Sequence, residues 1–418
     1  MITLFQRLRE TNFFIKKENN MPNNQSKIDQ VLSKLCPNGV EFKLLWEIED
    51  EGIIKLGRGN VISKIDLANN PGDYPVYSSS AVGEGEFGKY WNYMFENEMI
   101  TWSIDGGGRF FYRPAHKYSI TNVSGWLKVN NTEILNTRYL YFVLSNAWAT
   151  KNFDYTKKAH PSIIRDEYQI PIPPIEVQEE IVKILDTFTE LEAELEAELE
   201  ARKSQYEYYR DDLLSFEEEE IEWKSLDEIA NYRRWSFPQP YGETRWYNGE
   251  GAMPFVQVAD VGEDMKLVSE TKQRISKLAQ PKSVFVPKGT VIVTLQGSIW
   301  RVAITQYDSY VDRTLWIFES YKCEIDRKYF AYQLEAKFNI EKETARGSTI
   351  KTITKAEFSK FLIPLPSLKK QQTIVAILDK FDALVNDISI GLPAELQARR
   401  QQYEYYRNKL LTFKPLEK

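Results

Sequence analysis

Ile170-Pro171-Ile172-Pro173, followed by Gln178, Ile181-Val182, Ile184-Leu185-Asp186, Phe188 and Leu191, decides the fold because the chain contains it twice. The second copy runs Ile363-Pro364-Leu365-Pro366, then Gln371, Ile374-Val375, Ile377-Leu378-Asp379, Phe381 and Leu384, each residue 193 positions after its counterpart. Downstream, Gln205-Tyr206-Glu207-Tyr208-Tyr209-Arg210, Leu213-Leu214 and Phe216 recur as Gln402-Tyr403-Glu404-Tyr405-Tyr406-Arg407, Leu410-Leu411 and Phe413, now 197 positions apart, so the second copy holds four extra residues. Upstream, Val40-Glu41-Phe42-Lys43 with Leu45 and Ile48 matches Ile221-Glu222-Trp223-Lys224 with Leu226 and Ile229. Amphipathic helices resemble one another in spacing, but an identical Gln-Tyr-Glu-Tyr-Tyr-Arg string does not follow from amphipathicity. A duplication is therefore the frame for everything else.

Each copy carries a long stretch of helical spacing. In the first, Ile181, Ile184, Leu185, Phe188, Leu191, Leu195, Leu199, Tyr206, Tyr209 and Leu213 follow Pro173-Pro174. Proline is tolerated in a first helical turn and breaks an interior, and Leu, Glu and Ala are strong helix formers. The spacing predicts one helix from about Glu176 to Phe216, roughly 60 Å long at about 1.5 Å per residue. The second stretch, about Leu368 to Phe413, is its expected partner in an antiparallel coiled coil, with Phe188, Leu191, Leu195, Tyr206, Tyr209, Phe381, Leu384, Tyr403 and Tyr406 in the contact. The extra residues fall around Gly391-Leu392-Pro393, where Pro393 should interrupt the helix and Ala394-Glu395 restart it.

The inserts before each helix, roughly 40–170 and 221–363, read as α+β. Short β-type runs such as Ile53-Ile54, Tyr74–Tyr77, Phe110–Tyr112, Val256–Val258, Val284–Val286 and Thr290–Val293 are punctuated by Gly, Asn and Asp. Each insert closes on a helical patch, Tyr139–Leu144 and Tyr329–Leu334.

Composition narrows the class. A chain of 418 residues holds two or three domains. It has no apolar run long enough for a membrane span, and its first 20 residues lack the order of a signal peptide, which makes Met21 the expected start of the folded part. Cys36 and Cys323, the only cysteines, lie far apart and point to a reducing, cytoplasmic setting without a disulfide or zinc framework. Residues 174–220 carry 17 Asp/Glu against 4 Lys/Arg, a net of −13 that leaves +7 for the rest of a chain whose total is −6. Residues 223–366 hold 21 basic and 17 acidic side chains and residues 40–173 hold 14 and 16. Charge thus favours nucleic acid mildly in the second insert and is neutral in the first. The acidic face around Glu190 to Glu200 should meet a protein or solvent, not phosphate.

Catalytic patterns are missing. His116 and His160, the only histidines, are too far apart for a metal-binding helix and have no nucleophile-elbow pattern around them. Gly83–Lys89 fits GxxxxGK, but Tyr90 stands where the magnesium-binding hydroxyl would be, so a glycine turn is the better reading. Asp105-Gly106-Gly107-Gly108 reads as a turn. Asn70-Pro71-Gly72-Asp73-Tyr74 only weakly resembles the Asn/Asp-Pro-Pro-Tyr motif of adenine methyltransferases, lacking its second proline.

The order of insert, Ile-Pro-x-Pro, Gln-xx-Ile-Val-xx-Leu-Asp helix and Gln-Tyr-Glu-Tyr-Tyr-Arg, then all of it again, resembles the specificity subunits of type I restriction–modification systems, as does the opening Lys34-Leu35-Cys36-Pro37-Asn38-Gly39-Val40-Glu41-Phe42. The resemblance covers everything after about Gln25; the helices carry it, and the inserts match in general shape only. It implies an α+β fold with an N-terminal extension (1–24), a first target recognition domain (25–173), a first spacer helix (174–217), a second recognition domain (218–366) and a second spacer helix with the C-terminus (367–418). It also implies a non-catalytic, cytoplasmic protein that reads a two-part site in double-stranded DNA and docks two adenine methyltransferase subunits and the restriction subunits. No cofactor or metal is expected on this chain; S-adenosylmethionine, ATP and magnesium would belong to the partners. A fused enzyme and a purely structural coiled-coil adaptor are the competing classes.

Base readout needs amide, hydroxyl and guanidinium groups on groove-facing loops, and phosphates need cations and donors. The candidates are Ser78, Ser79, Ser80, Lys89, Arg109, Lys157, Lys158 and Ser162 in the first insert. In the second they are Arg233, Arg234, Arg245, Gln296, Ser298, Arg301, Arg346, Ser348, Thr349 and Lys351. Each is weighed against a plain solvated surface role. Arg346–Thr349 and Ala159–Ser162 stand at equivalent places before the two Ile-Pro-x-Pro motifs.

Overall fold

A computed structural model describes residues 35–79, 83–154, 156–216, 221–234, 237–295, 300–344, 354–387 and 389–417. The chain divides into two compact units. One holds the described residues up to Glu194 together with those from Gln397 onward; the other is Leu195–Leu396.

The first unit builds β1 (Glu41–Leu44), β2 (Ile54–Arg58), β3 (Tyr74–Tyr77), β4 (Glu86–Tyr90), β5 (Met99–Ser103), β6 (Phe110–Arg113), β7 (Ser119–Ile120), β8 (Ser124–Val129) and β9 (Gln169–Ile172). An antiparallel sheet of order β2-β8-β5-β6 lies beside a smaller one, β4-β3-β7, in which β3 and β7 are parallel. Every residue of β5 is buried, so the strand shows no period-two alternation and is hard to see in the sequence. Trp102 on β5 packs on Gly125 of β8, where an added Cβ would sit 2.1 Å from the indole. The helix Thr137–Trp148 covers this sheet with Tyr139, Leu140, Phe142, Val143 and Leu144.

The second unit repeats the plan with β10 (Glu222–Ser225), β11 (Ala230–Arg233), β12 (Met253–Val256), β13 (Gln273–Ile275), β14 (Val284–Val286), β15 (Val291–Thr294), β16 (Arg301–Ile304), β17 (Ser309–Val311), β18 (Leu315–Tyr321) and β19 (Leu362–Leu365). Its larger sheet has the order β11-β18-β15-β16, and its smaller one, β13-β12-β17-β14, again contains a parallel pair, β12 with β17. The Val256–Val258 run does not stay extended. The strand ends at Val256 because the Asp260 carboxylate accepts from the Gln257 N–H at 2.8 Å and winds Val258–Asp260 into a 3-10 turn.

The duplicated motif has one structural job in both units. β1 pairs antiparallel with β9, and β10 with β19, so each insert enters and leaves at the same place. Tyr139 Oη donates to Pro171 O (3.1 Å) and Tyr329 Oη, on the helix Arg327–Thr344, to Pro364 O (3.0 Å), tying each insert's closing helix to its Ile-Pro-x-Pro strand. Gln178 Oε1 accepts from Asn136 N and its amide donates to Ile134 O and Pro173 O. Gln371 Oε1 accepts from Asp326 N and its amide donates to Pro366 O. Both glutamines are buried. Asp186 and Asp379 complete the joint through Arg138 (2.7 Å) and Lys328 (2.6 Å).

The first spacer is one helix, Ile175–Leu214, close to the expected bounds. The second, expected over about Leu368 to Phe413 with an interruption at Pro393, is two helices, Leu368–Asn386 and Leu392–Leu410. The break comes ahead of Pro393, which occupies the first turn of the new helix, where its missing N–H costs nothing. Asp387 makes the break by accepting from the N–H groups of Ser389 (2.7 Å) and Ile390 (3.3 Å). Gly391 allows the backbone to close on it: a Cβ there would lie 2.5 Å from Ala383 O.

The spacer contacts run antiparallel within each unit. In the first, Phe188 stacks on Tyr406 at 5.5 Å and meets Tyr403 at 6.3 Å, and Glu192 pairs with Arg400 at 2.7 Å. In the second, Tyr206 and Tyr209 meet Phe381 at 6.3 and 5.7 Å, while Leu214 and Phe216 join Ile374 and Leu378 in one core. Leu191 and Leu195 are buried, and Leu384 is exposed.

Candidate nucleic-acid interface

In the first recognition domain the structure gathers several candidate residues around one glycine turn. Ser78 follows β3 and shares a hydrogen bond with Thr121 Oγ1 at 2.8 Å. Ser79 shares one with Ser103 and accepts from the Asp105 N–H at 3.2 Å. Asp105 opens the turn Asp105–Gly108, and Lys158 pairs with it at 3.0 Å. Gly107 and Gly108 have φ of +85° and +77°, and a Cβ on Gly108 would press on the Phe153 ring at 2.7 Å. Trp148 Nε1 donates to Gly107 O and Trp102 Nε1 to Ala159 O, both at 2.7 Å, which locks the turn to the segment that carries Lys157 and Lys158. Lys157 pairs with Glu167 at 2.6 Å. Lys89 is exposed on β4, Arg109 lies over the Phe111 ring at 5.0 Å, and Ser162 is exposed in the first turn of Pro161–Glu167.

One cation in this domain is structural. Arg113 is 3% exposed, donates to Thr101 Oγ1 and to the backbone and carboxylate of Glu84, and sits 3.7 Å from the centre of the Tyr77 ring. Burial pulls its guanidinium below the usual arginine range. Arg113→Ala should cost about 2–4 kcal/mol through lost packing and stranded hydrogen-bond partners; the urea midpoint of the full chain measures it. His116 belongs to the same packing group, stacked on Tyr118 at 4.6 Å and hydrogen-bonded through Nδ1 to Pro114 O.

In the second domain, guanidinium groups are held by carboxylates or rings. Arg233 pairs with Glu319 across β11 and β18 at 2.7 Å, and Arg234 lies 5.3 Å over Trp316. Arg245 pairs with Glu243 and covers Trp246 at 4.3 Å. Arg301 donates to Val261 O and pairs with Glu263 at 2.7 Å. These positions are tied into the domain by those partners. Ser80, Gln296, Ser298, Arg346, Ser348, Thr349 and Lys351 lie outside the described residues. The sequence reading missed a cleft of about 330 Å³ lined by Tyr241, Thr244, Tyr247, Asn248, Gln257 and Gln273. The only sequence signal for it is the density of aromatic and amide residues between Gln239 and Asn248.

Among the described residues, no group of three His, Cys, Asp or Glu side chains is placed to hold a metal ion, and no helix is long and apolar enough to cross a membrane.

Two copies of one frame, each carrying a different insert, also define a known family. The family model described as the type I restriction modification DNA specificity domain matches residues 46–201 and again 218–398. This chain belongs to that family of specificity subunits. A Mycoplasma pneumoniae protein named as a type I specificity subunit is 31% identical over 87% of this chain and 96% of its own length. A Haemophilus influenzae protein named as a type I restriction enzyme specificity subunit is 31% identical over 94% of this chain and 100% of its own. The EcoR124I/EcoR124II specificity subunit of Escherichia coli is 36% identical over 59% of this chain and 63% of its own length. The fold matches the crystal structure of an S subunit from M. genitalium with a TM-score of 0.54 at 15% identity, covering 89% of this chain and 96% of that one. The specificity subunit thus carries two DNA-recognition domains, one in each repeat.

Proposed function

We propose that this specificity subunit is the non-catalytic DNA reader of a cytoplasmic complex, in which each recognition domain reads one half of a split duplex site. Two adenine methyltransferase subunits dock on the spacer helices, restriction subunits complete the nuclease, and S-adenosylmethionine, ATP and magnesium are requirements of those partners. The observation that carries this reading is the repeat: one glutamine-anchored frame built twice, each time around a different insert. A duplicated frame offers the same surface twice and therefore suits two copies of one partner. Different inserts suit two different half-sites, and the spacer helices would set the length of the unread gap between them.

The repeated Gln-Tyr-Glu-Tyr-Tyr-Arg string shows which side chains that surface would offer. Its outer tyrosines contact Phe381 and Phe188, while the middle ones, Tyr208 and Tyr405, are 68% and 63% exposed. Exposed tyrosines are favoured anchors of protein interfaces. Tyr208→Ser and Tyr405→Ser should each weaken methyltransferase binding roughly five- to thirtyfold, about 1–2 kcal/mol, without changing the melting temperature of the free chain. Calorimetric titration with the methyltransferase subunits checks this.

Purified chain and partners test the role as a whole. The assembled complex should bind duplex DNA with an affinity that falls steeply as salt rises, and only the complex should transfer methyl groups. Methyl transfer by the chain alone would contradict a non-catalytic role, and loss of all salt-sensitive duplex binding would favour a structural adaptor.

A further inference from the structure

The Tyr241–Gln273 cleft lies in the second recognition domain, on the side of the smaller sheet. Tyr247 stacks on Phe237 at 5.7 Å, and Tyr241 meets the same ring edge-on at 5.1 Å. Phe237, Trp246, Phe255 and Ile275 form the buried layer beneath them. Tyr241 Oη donates to Asp312 (2.7 Å) and accepts from Gln257 Nε2 (3.1 Å), so the buried acid is satisfied and Gln257 is aimed along the wall. Gln273, from β13, also lines the cleft. Its Oε1 is buried and has no hydrogen-bond partner. Among the described residues it is one of eight buried side-chain polar atoms without a partner and the one of them that lines this cleft; a buried acceptor left unpaired costs about 1–3 kcal/mol.

Arg313 borders the cleft, 5.1 Å over the ring of its lining residue Tyr241, whereas Arg245 and Lys282 lie 4.3 and 5.4 Å over Trp246 in the layer beneath. Arg245 is paired with Glu243, and Arg313 is the cation against the wall of the cleft. Aromatic walls, carboxamides inside and a guanidinium at the edge are the three chemistries that a nucleic acid asks for: ring faces, base edges and phosphates. Closed apolar ligand pockets have a different make-up.

We infer that this cleft reads a base in the half-site of the second recognition domain. The Gln273 carboxamide faces the base edge with Gln257 beside it, and Arg313 holds a flanking phosphate. A glutamine amide accepts from adenine N6 and donates to N7, which makes adenine the matching base. The inference rests on the DNA-reading role proposed above.

The test uses the full chain assembled with its methyltransferase subunits. The methylated motif is mapped first, and binding is then measured for duplexes carrying that motif and each single-base change. Gln273→Glu replaces a donor–acceptor pair with two acceptors, so preference should move from adenine toward cytosine at one position of one half-site. The preferred base should lose roughly ten- to hundredfold in affinity there. The other half-site should be unchanged, which also shows that the complex is intact. Gln257→Leu, on the cleft wall, should relax discrimination in the same half-site, and it decides the matter if Gln273→Glu does not assemble. Unchanged discrimination in the assembled variants, or an equal loss on every duplex, overturns the cleft as a base reader. A wild-type complex that methylates no two-part motif overturns the DNA-reading role itself, and the cleft with it.

Discussion

Replacing residues 40–170 with the corresponding segment of a relative of different specificity is expected to rewrite one half of the methylated motif and leave the other half and the gap unchanged. The geometry of the frame is the reason. Glu41 faces Ile172 and Leu44 faces Gln169 in the β1–β9 ladder, so the two ends of the insert are neighbours. The insert carries its own sheets and most of its own core. What it needs from the spacer is a short set of contacts that the repeat supplies twice. Each mismatched base pair in a site costs about 1–3 kcal/mol, so three mismatches in the old half-site should depress its methylation several hundredfold or more. Methylome sequencing of cells expressing the original and exchanged complexes measures this. A motif altered in both halves would refute modular reading, and an unaltered motif would refute DNA reading by the first domain.

Gln178→Leu should be among the most damaging single substitutions in the first unit. The side chain is fully buried and serves three backbone groups at once: Asn136 N, Ile134 O and Pro173 O, at 2.8–2.9 Å. Leucine fills similar space but strands all three, each at about 1–3 kcal/mol. A total of about 3–6 kcal/mol follows, or a fall in Tm of roughly 10 °C or more for a unit of this size. Gln371→Leu should behave alike in the second unit, by a smaller margin, because Gln371 makes two of the corresponding bonds. Scanning calorimetry of the two variants checks the ranking; a loss under 1 kcal/mol for Gln178→Leu would mean that the joint is held by the Tyr139 and Asp186 contacts instead.

Much of the fold was legible because a duplication is visible without knowing what it does. The spacer helix over Ile175–Leu214 followed from proline placement and apolar spacing, and the aromatic contacts Phe188–Tyr406 and Tyr209–Phe381 lie where the repeat put them. Strand β5 was harder to read, since burial on both faces removes its alternation, whereas the equally buried β15 was marked by its β-branched run Thr290–Val293. The break at Asp387–Gly391 was foreseen through Pro393, but the residues that make it are an aspartate cap and a glycine contact that no periodicity encodes.

The candidate site was less legible. Arg233, Arg245 and Arg301 read as free cations in the sequence and are held by Glu319, Glu243 and Glu263 in the structure. Gln257 and Gln273 carried no signal and share one cleft. The sequence by itself determined the frame, two inserts and two spacers with Gln178 and Asp186 recurring as Gln371 and Asp379, because a duplication is visible position by position; that these residues join insert to spacer, across 32 to 48 positions, was decided by the tertiary structure. Only the tertiary structure decided which side chains in the inserts are engaged and which face a cleft. Pairs such as Arg233 with Glu319 and Tyr241 with Asp312 come from strands and loops more than 70 residues apart, and such pairing leaves no period in the sequence.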